Sequence, residues 1–187
     1  MIADILKGAE NRMKKAMDAL QRDLDTIRTG RASPALVDRL TVEYYGAPTP
    51  LNQLAGVSVP EPRTLVIQPW DRGTIGAIEK AIHKSELGLN PNNDGQVIRI
   101  SIPPLTAERR KQLVKLVHNH AEEAKVAVRN IRRDATAQVR ELMNEKLISE
   151  NDERRGEHQV DDLTKRFVDE AEKISKAKEH EVMDVSG

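Results

Sequence analysis

The sequence predicts an α+β protein: an elongated three-helix bundle with a small α/β domain inserted after its first helix. Three observations carry that expectation. Apolar residues recur at steps of three and four over residues 2–29, again from about 106 to 147, and again beyond Ser149. Eight of the nine prolines lie between 48 and 104, so the helical texture is interrupted there. Inside that stretch, short β-branched runs alternate apolar with polar side chains. The expected boundaries are residues 1–30 with 105–187 for the discontinuous bundle, and 31–104 for the insert.

The first helix is marked by Ile2, Leu6, Ala9, Met13, Ala16, Leu20, Leu24 and Ile27. Gly30 follows where a left-handed residue closing a helix is expected, and Pro34 ends helical character. In the insert, Leu40 to Tyr44, Thr64 to Gln68 and Val97 to Ile102 read as strands, and Ile75, Ile78 and Ile82 as a helix between them. Asn90 to Gly95 is dense turn chemistry. After Pro103 and Pro104, Thr106 is an expected N-cap, and the helix it opens runs to about Leu147, about 60 Å. Ser149 to Asp152 carries a capping signal for the last helix. Its apolar stripe is Val160, Leu163, Phe167, Ala171, Ile174 and Val182, with Gly156 expected as a weak spot. Two linkers, Gly30–Pro34 and Ile102–Leu105, join insert to bundle. Gly30, Arg31, Pro34, Pro103 and Pro104 are the expected hinge residues.

The chain has 187 residues with 30 basic and 30 acidic side chains, so net charge selects no partner. The distribution is more telling. Residues 104–147 carry 10 basic and 6 acidic groups, and residues 148–187 carry 7 and 12. On the long helix Lys125, Arg129, Arg132, Arg133 and Arg140 fall within about a third of the circumference. Lys111, Lys115 and His118 extend the row toward the helix start. Leu113, Val117, Ala124, Val128, Ile131, Ala135 and Leu142 occupy a different face, and Glu123, Asp134, Glu141 and Glu145 lie off the row. An ordinary solvated helix alternates signs to gain i,i+4 pairs. Glu108 and Glu122 lie on or near the row, but a predominantly cationic row, rich in arginine, points instead to a phosphate backbone.

Other chemistries find little footing. With no cysteine there are no disulfides or thiolate metal sites. The five histidines lack ligand spacing, so no metal or cofactor is expected. There is no GxxxxGK[ST] phosphate loop and no GxSxG nucleophile motif, so the chain reads as a non-enzyme. No apolar run approaches the roughly 18 residues that span a bilayer, and the start has no signal-peptide pattern. A cytoplasmic monomer without membrane contact is expected.

The run Arg129-Asn130-Ile131-Arg132-Arg133-Asp134-Ala135 resembles the signature of bacterial ribosome recycling factors. Thr29-Gly30-Arg31-Ala32-Ser33-Pro34, Asn90 to Gly95, Pro103-Pro104-Leu105-Thr106 and Glu108-Arg109-Arg110-Lys111 match that family in order, and the resemblance covers essentially the whole chain. It implies an L-shaped protein of tRNA-like dimensions that acts after peptide release. Its partners would be rRNA of the large ribosomal subunit and elongation factor G with GTP, and its effect dissociation of the subunits. The implied rRNA contacts are Arg132 first, then Arg129 and Arg110, with Arg133 and Lys111 beside them and Arg28 and Arg31 near the end of the bundle. Helical phase alone places Arg110 near the apolar side of its helix, so its assignment rests on the resemblance. The alternative from the residues alone is a helical nucleic-acid-binding adaptor that works without a motor partner.

Overall fold

A computed structural model describes residues 1–85 and 87–184. Four α-helices and six strands follow the chain as α1 (Ile2–Asp25), β1 (Thr41–Tyr44), β2 (Ala47–Pro50), β3 (Ala55–Glu61), β4 (Thr64–Pro69), α2 (Ile75–Lys84), β5 (Pro91–Asn93), β6 (Ile98–Ser101), α3 (Ala107–Asn144) and α4 (Glu150–Met183). Contacts divide the chain into two compact units. One is Met1–Leu24 with Val114–His180; the other is Asp25–Leu113 with the chain from Glu181 onward.

The first unit is a three-helix bundle. α1 buries Ala9, Met13, Met17, Leu20 and Leu24; α3 buries Val117, Ala121, Ala124, Val128, Ile131, Ala135 and Val139; α4 contributes Val160, Phe167 and Ala171. Most of these belong to the stripes that the three-and-four spacing marks; Met17, Ala121 and Val139 join them, while the expected Ala16, Leu142, Leu163 and Ile174 are only half-buried. The core is aliphatic around one ring, Phe167, which is 1% exposed. Buried Thr164 satisfies its hydroxyl by donating to the Val160 carbonyl at 2.8 Å. The α4 start is a reciprocal capping box. Ser149 Oγ accepts from Asp152 N at 3.1 Å, and Asp152 Oδ2 accepts from Ser149 N at 3.2 Å. The Ser149 backbone N–H, and after it the Ser149 hydroxyl, hold the Asp152 carboxyl below the usual carboxylate range. Gly156 departs from expectation. A Cβ there would sit 3.2 Å from Val139 Cγ1 and 3.3 Å from Ile2 Cδ1. Side chains of α1 and α3 pack directly against α4 at this point, and the missing side chain leaves them room.

In the second unit, β3-β4-β6-β5 form a four-stranded antiparallel sheet, and β1 and β2 a separate hairpin. Leu65 and Ile67 of β4, Ile98 and Ile100 of β6, and Ile75, Ile78 and Ile82 of α2 lie in one apolar core with Leu36, Val37, Val42 and Leu51. The β1–β2 turn, Tyr45-Gly46, has φ of 48° and 82°, the left-handed pair that a two-residue hairpin of type I′ requires. Strands β2, β3 and β5 are absent from the sequence expectation. All three carry proline, which reads as turn but is tolerated on edge strands. Helix α1 also ends at Asp25, short of the expected 29. Ile27 continues the apolar rhythm and is buried, but from a loop. Gly30 is therefore not a helix-closing residue, though its φ of 80° is left-handed as expected. Both linkers are tied to the β3–β4 turn: Ala32 N donates to the Pro62 carbonyl, and Ile102 N to the Arg63 carbonyl, each at 2.7 Å. That tie groups Gly30, Arg31, Pro34, Pro103 and Pro104 with the α/β core.

Candidate nucleic-acid interface

The long helix α3 begins where Thr106 caps it, Oγ1 accepting from Arg109 N at 3.0 Å. Within the bundle unit its cationic row divides. Along one edge the side chains meet carboxylates of α4: His118 Nε2 lies 3.3 Å from Glu179, Arg132 Nη1 3.3 Å from Asp161, and Arg140 Nε 2.8 Å from Glu157. Lys125 bonds Glu172 and also Glu122. The Lys125 side chain is only 14% exposed. The hydrogen bond to Glu172 raises its pKa against the opposing effect of burial, and the same bond from Lys125 lowers that of Glu172. The sequence row thus contains seam residues whose charge is already answered, Lys125 above all; Arg140, although its side chain is 62% exposed, is held at 2.8 Å against 3.3 Å for Arg132.

Outside the seam the charge is open. Arg129 and Arg133 are exposed, and so is Lys115; among the described residues none of the three has a carboxylate at ion-pair distance. Arg132 lies between the two classes. It is half-buried and contacts Asp161 through one nitrogen, leaving most of its five N–H donors free. Across the helix, Asp134 is engaged by Arg12 at 3.0 Å, which keeps that acid turned away from the arginines.

In the second unit the remaining expected residues gather near the α3 start. Arg28 is half-buried and donates from Nη2 to the Pro103 carbonyl at 3.2 Å. Its Nε is buried without a hydrogen-bond partner, as is the Nε of Arg110. Burial, and after it the charge of Arg109, pulls the Arg28 pKa below the ordinary guanidinium value. Arg110 is half-buried, in keeping with its helical phase. Arg31 pairs with Asp184 at 3.2 Å. Lys111 is exposed without an ion-pair partner among the described residues. The group is a concentration of guanidinium charge in which two Nε donors are buried and unsatisfied.

The other exposed chemistry is sparse. Trp70 and Tyr45 are 70% and 83% exposed, and the Tyr45 hydroxyl donates to Asp71 Oδ2 at 3.3 Å. Among the described residues no group of His, Asp and Glu could hold a metal ion, and no helix is long and apolar enough to cross a membrane.

A helical bundle that leaves arginines unpaired on one face, joined to a small antiparallel α/β unit, defines a class: two-unit α+β proteins with an open cationic face. Comparison with known proteins narrows it. A family model described as ribosome recycling factor matches residues 20–183. The ribosome-recycling factor of Thermomicrobium roseum is 58% identical over 185 residues, 99% of this chain and 100% of that protein. That of Carboxydothermus hydrogenoformans is 54% identical with the same coverage. A solution structure of the ribosome recycling factor superposes with a TM-score of 0.78 at 47% identity, covering 98% of both chains. A second matching chain has a TM-score of 0.69 at 46% identity, covering 98% of this chain and 100% of that one. It comes from models for the T. thermophilus ribosome recycling factor and the E. coli elongation factor G bound to the E. coli post-termination complex. The chain belongs to the ribosome recycling factor family.

Proposed function

We propose that this chain recycles ribosomes: it binds the large subunit after termination through rRNA phosphates. With elongation factor G and GTP it then promotes dissociation into subunits, with release of mRNA and tRNA. The observation that carries the site assignment is the pair Arg129 and Arg133, left without counter-ions beside a half-engaged Arg132 on the long helix of a family member. These three grip phosphate first. Arg110, Arg28 and Lys111 add contacts at the α3 start, where buried guanidinium nitrogens lack partners, and Arg31 joins them by exchanging Asp184 for phosphate. A guanidinium presents parallel N–H donors that match two phosphate oxygens, so such contacts fix orientation as well as affinity.

As a member of this family the chain acts as a non-enzymatic factor, in the cytoplasm and as a monomer. The work comes from GTP hydrolysis on its partner. In this reading residues 1–30 with 105–187 anchor to rRNA, and residues 31–104 move about Gly30, Arg31, Pro34, Pro103 and Pro104. Gly30 supplies a backbone conformation other residues resist, while the two prolines stiffen the return strand. A helical nucleic-acid adaptor without a motor partner is the competing reading.

Co-sedimentation with large ribosomal subunits, followed by a subunit-splitting assay with elongation factor G and GTP, separates them. Arg132→Ala should lose both binding and splitting, whereas Arg140→Ala, which breaks a seam pair, should retain both. Equal affinity for large subunits and for any RNA duplex, with splitting indifferent to the protein, would establish the adaptor instead.

A further inference from the structure

Within the bundle unit the ion pairs between α3 and α4 fix an antiparallel register. The step of seven from His118 to Lys125 is matched by the step of seven back from Glu179 to Glu172. From Lys125 to Arg140, fifteen residues on α3 answer fifteen back on α4, from Glu172 to Glu157. The same register sets residue 165 opposite residue 132. There the alternation of sign fails, because the residue is Lys165. Arg132 reaches one turn away instead, to Asp161, by a single contact. Lys165 is exposed and, among the described residues, has no carboxylate at ion-pair distance. That includes Asp161, four residues earlier on its own helix, an arrangement that ordinarily favours pairing. A like-charged rung does nothing for the isolated fold, yet it places two cations from two helices at one height of an exposed edge.

We propose that Lys165 is a further phosphate-binding residue of the rRNA interface, holding together with Arg132 a single phosphate between α3 and α4. Asp161 is the counter-ion that Arg132 keeps while no RNA is bound. The inference rests on the reading of Arg132 as an rRNA contact. Chemically the pair is complementary: the guanidinium fixes direction through its planar fork, and the ammonium supplies a compact charge on a flexible stem. An anion between them converts repulsion across the seam into a bridge. Arg129 and Arg133 then fall on neighbouring phosphates.

The test uses the full-length chain and large ribosomal subunits, with binding measured by co-sedimentation across a fourfold range of salt. Lys165→Gln should weaken binding about threefold at fixed salt, and should lower the slope of log affinity against log salt by less than the roughly 0.9 of a whole phosphate contact, because Arg132 still holds the shared phosphate. Lys173→Gln, at an exposed position on a different face of α4, is the control and should leave the slope nearly unchanged. Lys165→Asp should complete the seam, raise or maintain the melting temperature, and tie up Arg132. It should therefore weaken binding more than Lys165→Gln, and adding Arg132→Ala to it should cost less than Arg132→Ala costs alone. If Lys165→Gln matches Lys173→Gln while Arg132→Ala weakens binding, Lys165 is a solvated lysine and the proposal fails. If Arg132→Ala is silent as well, the interface reading beneath it fails too.

Discussion

Dividing the α3 row into seam and open cations makes a prediction that separates folding from binding. Consider two double variants of equal charge change, Arg129→Ala with Arg133→Ala, and Lys125→Gln with Arg140→Gln. The first pair makes no ion pair in the bundle, so each substitution should cost under about 0.5 kcal/mol of stability. If each arginine neutralises one phosphate, the salt slope should flatten by about 1.8 in total. Between 50 and 200 mM salt one contact accounts for about a 3.5-fold change in affinity and two for about 12-fold, so the wild-type protein should lose about 12-fold more affinity over that range than the variant. The second pair removes the bonds to Glu172 and Glu157. Both are partly exposed, so after solvent screening the loss should be about 1 kcal/mol in total, read as a lower melting temperature. Its slope should change little, because those charges are already answered. The assay is co-sedimentation with large subunits at three salt concentrations and fixed magnesium, beside thermal melts followed by circular dichroism. Equal flattening in both variants would refute the division, since the row would then act as diffuse charge whatever its partners.

Three further outcomes test the fold. Gly30→Ala should destabilise the chain by about 1 kcal/mol in urea unfolding, because φ of 80° is left-handed while the nearest atoms to a new Cβ, at 3.7 Å, leave room for it. Gly156→Val should cost about 1–3 kcal/mol by the same measurement, since its side chain would enter the contact with Val139 and Ile2; an unchanged midpoint would contradict the close approach. The Lys125–Glu172 pair sets the third. Glu172 has a lowered pKa in the folded chain, so its stabilisation is present above the unfolded carboxyl value and is lost as pH falls through the lower folded one. The melting-temperature gap between wild type and Glu172→Gln should therefore close in acid, and a constant gap down to pH 2 would exclude the linkage.

How far the fold could be read from sequence depended on whether one signal controlled an element. The bundle stripes were readable because burial on a helix imposes a period that little else produces. Ser149 and Thr106 were readable because capping needs particular oxygens at particular places. In the insert, two signals competed. Pro48, Pro50, Pro60 and Pro91 mark turns by composition, yet they sit in short antiparallel strands whose neighbours satisfy the ladder. The end of α1 failed for a related reason. Ile27 is buried in register with the helix, but the apolar core does not record whether the backbone beneath it is helical.

The site was harder, because a charge row has two physical causes with one appearance at short range. Cations facing solvent for a polyanion and cations facing a neighbouring helix both recur on one side of α3. Their longer spacing differs. His118, Lys125, Arg132 and Arg140 recur at seven and eight, the interval of an antiparallel seam, whereas Arg129 and Arg133 are four apart on the open face. The acidic excess of residues 148–187 was the matching half of that signal, since Glu157, Asp161, Glu172 and Glu179 answer the seam from α4. Taken alone, α3 looks like a uniform anion-binding face; paired with α4 in register, it resolves into an internal zipper and an external grip. Lys165 is the one rung where the two meet. Its signal lies in complementary signs between α3 and α4 in register, and not only in segregation of sign on α3.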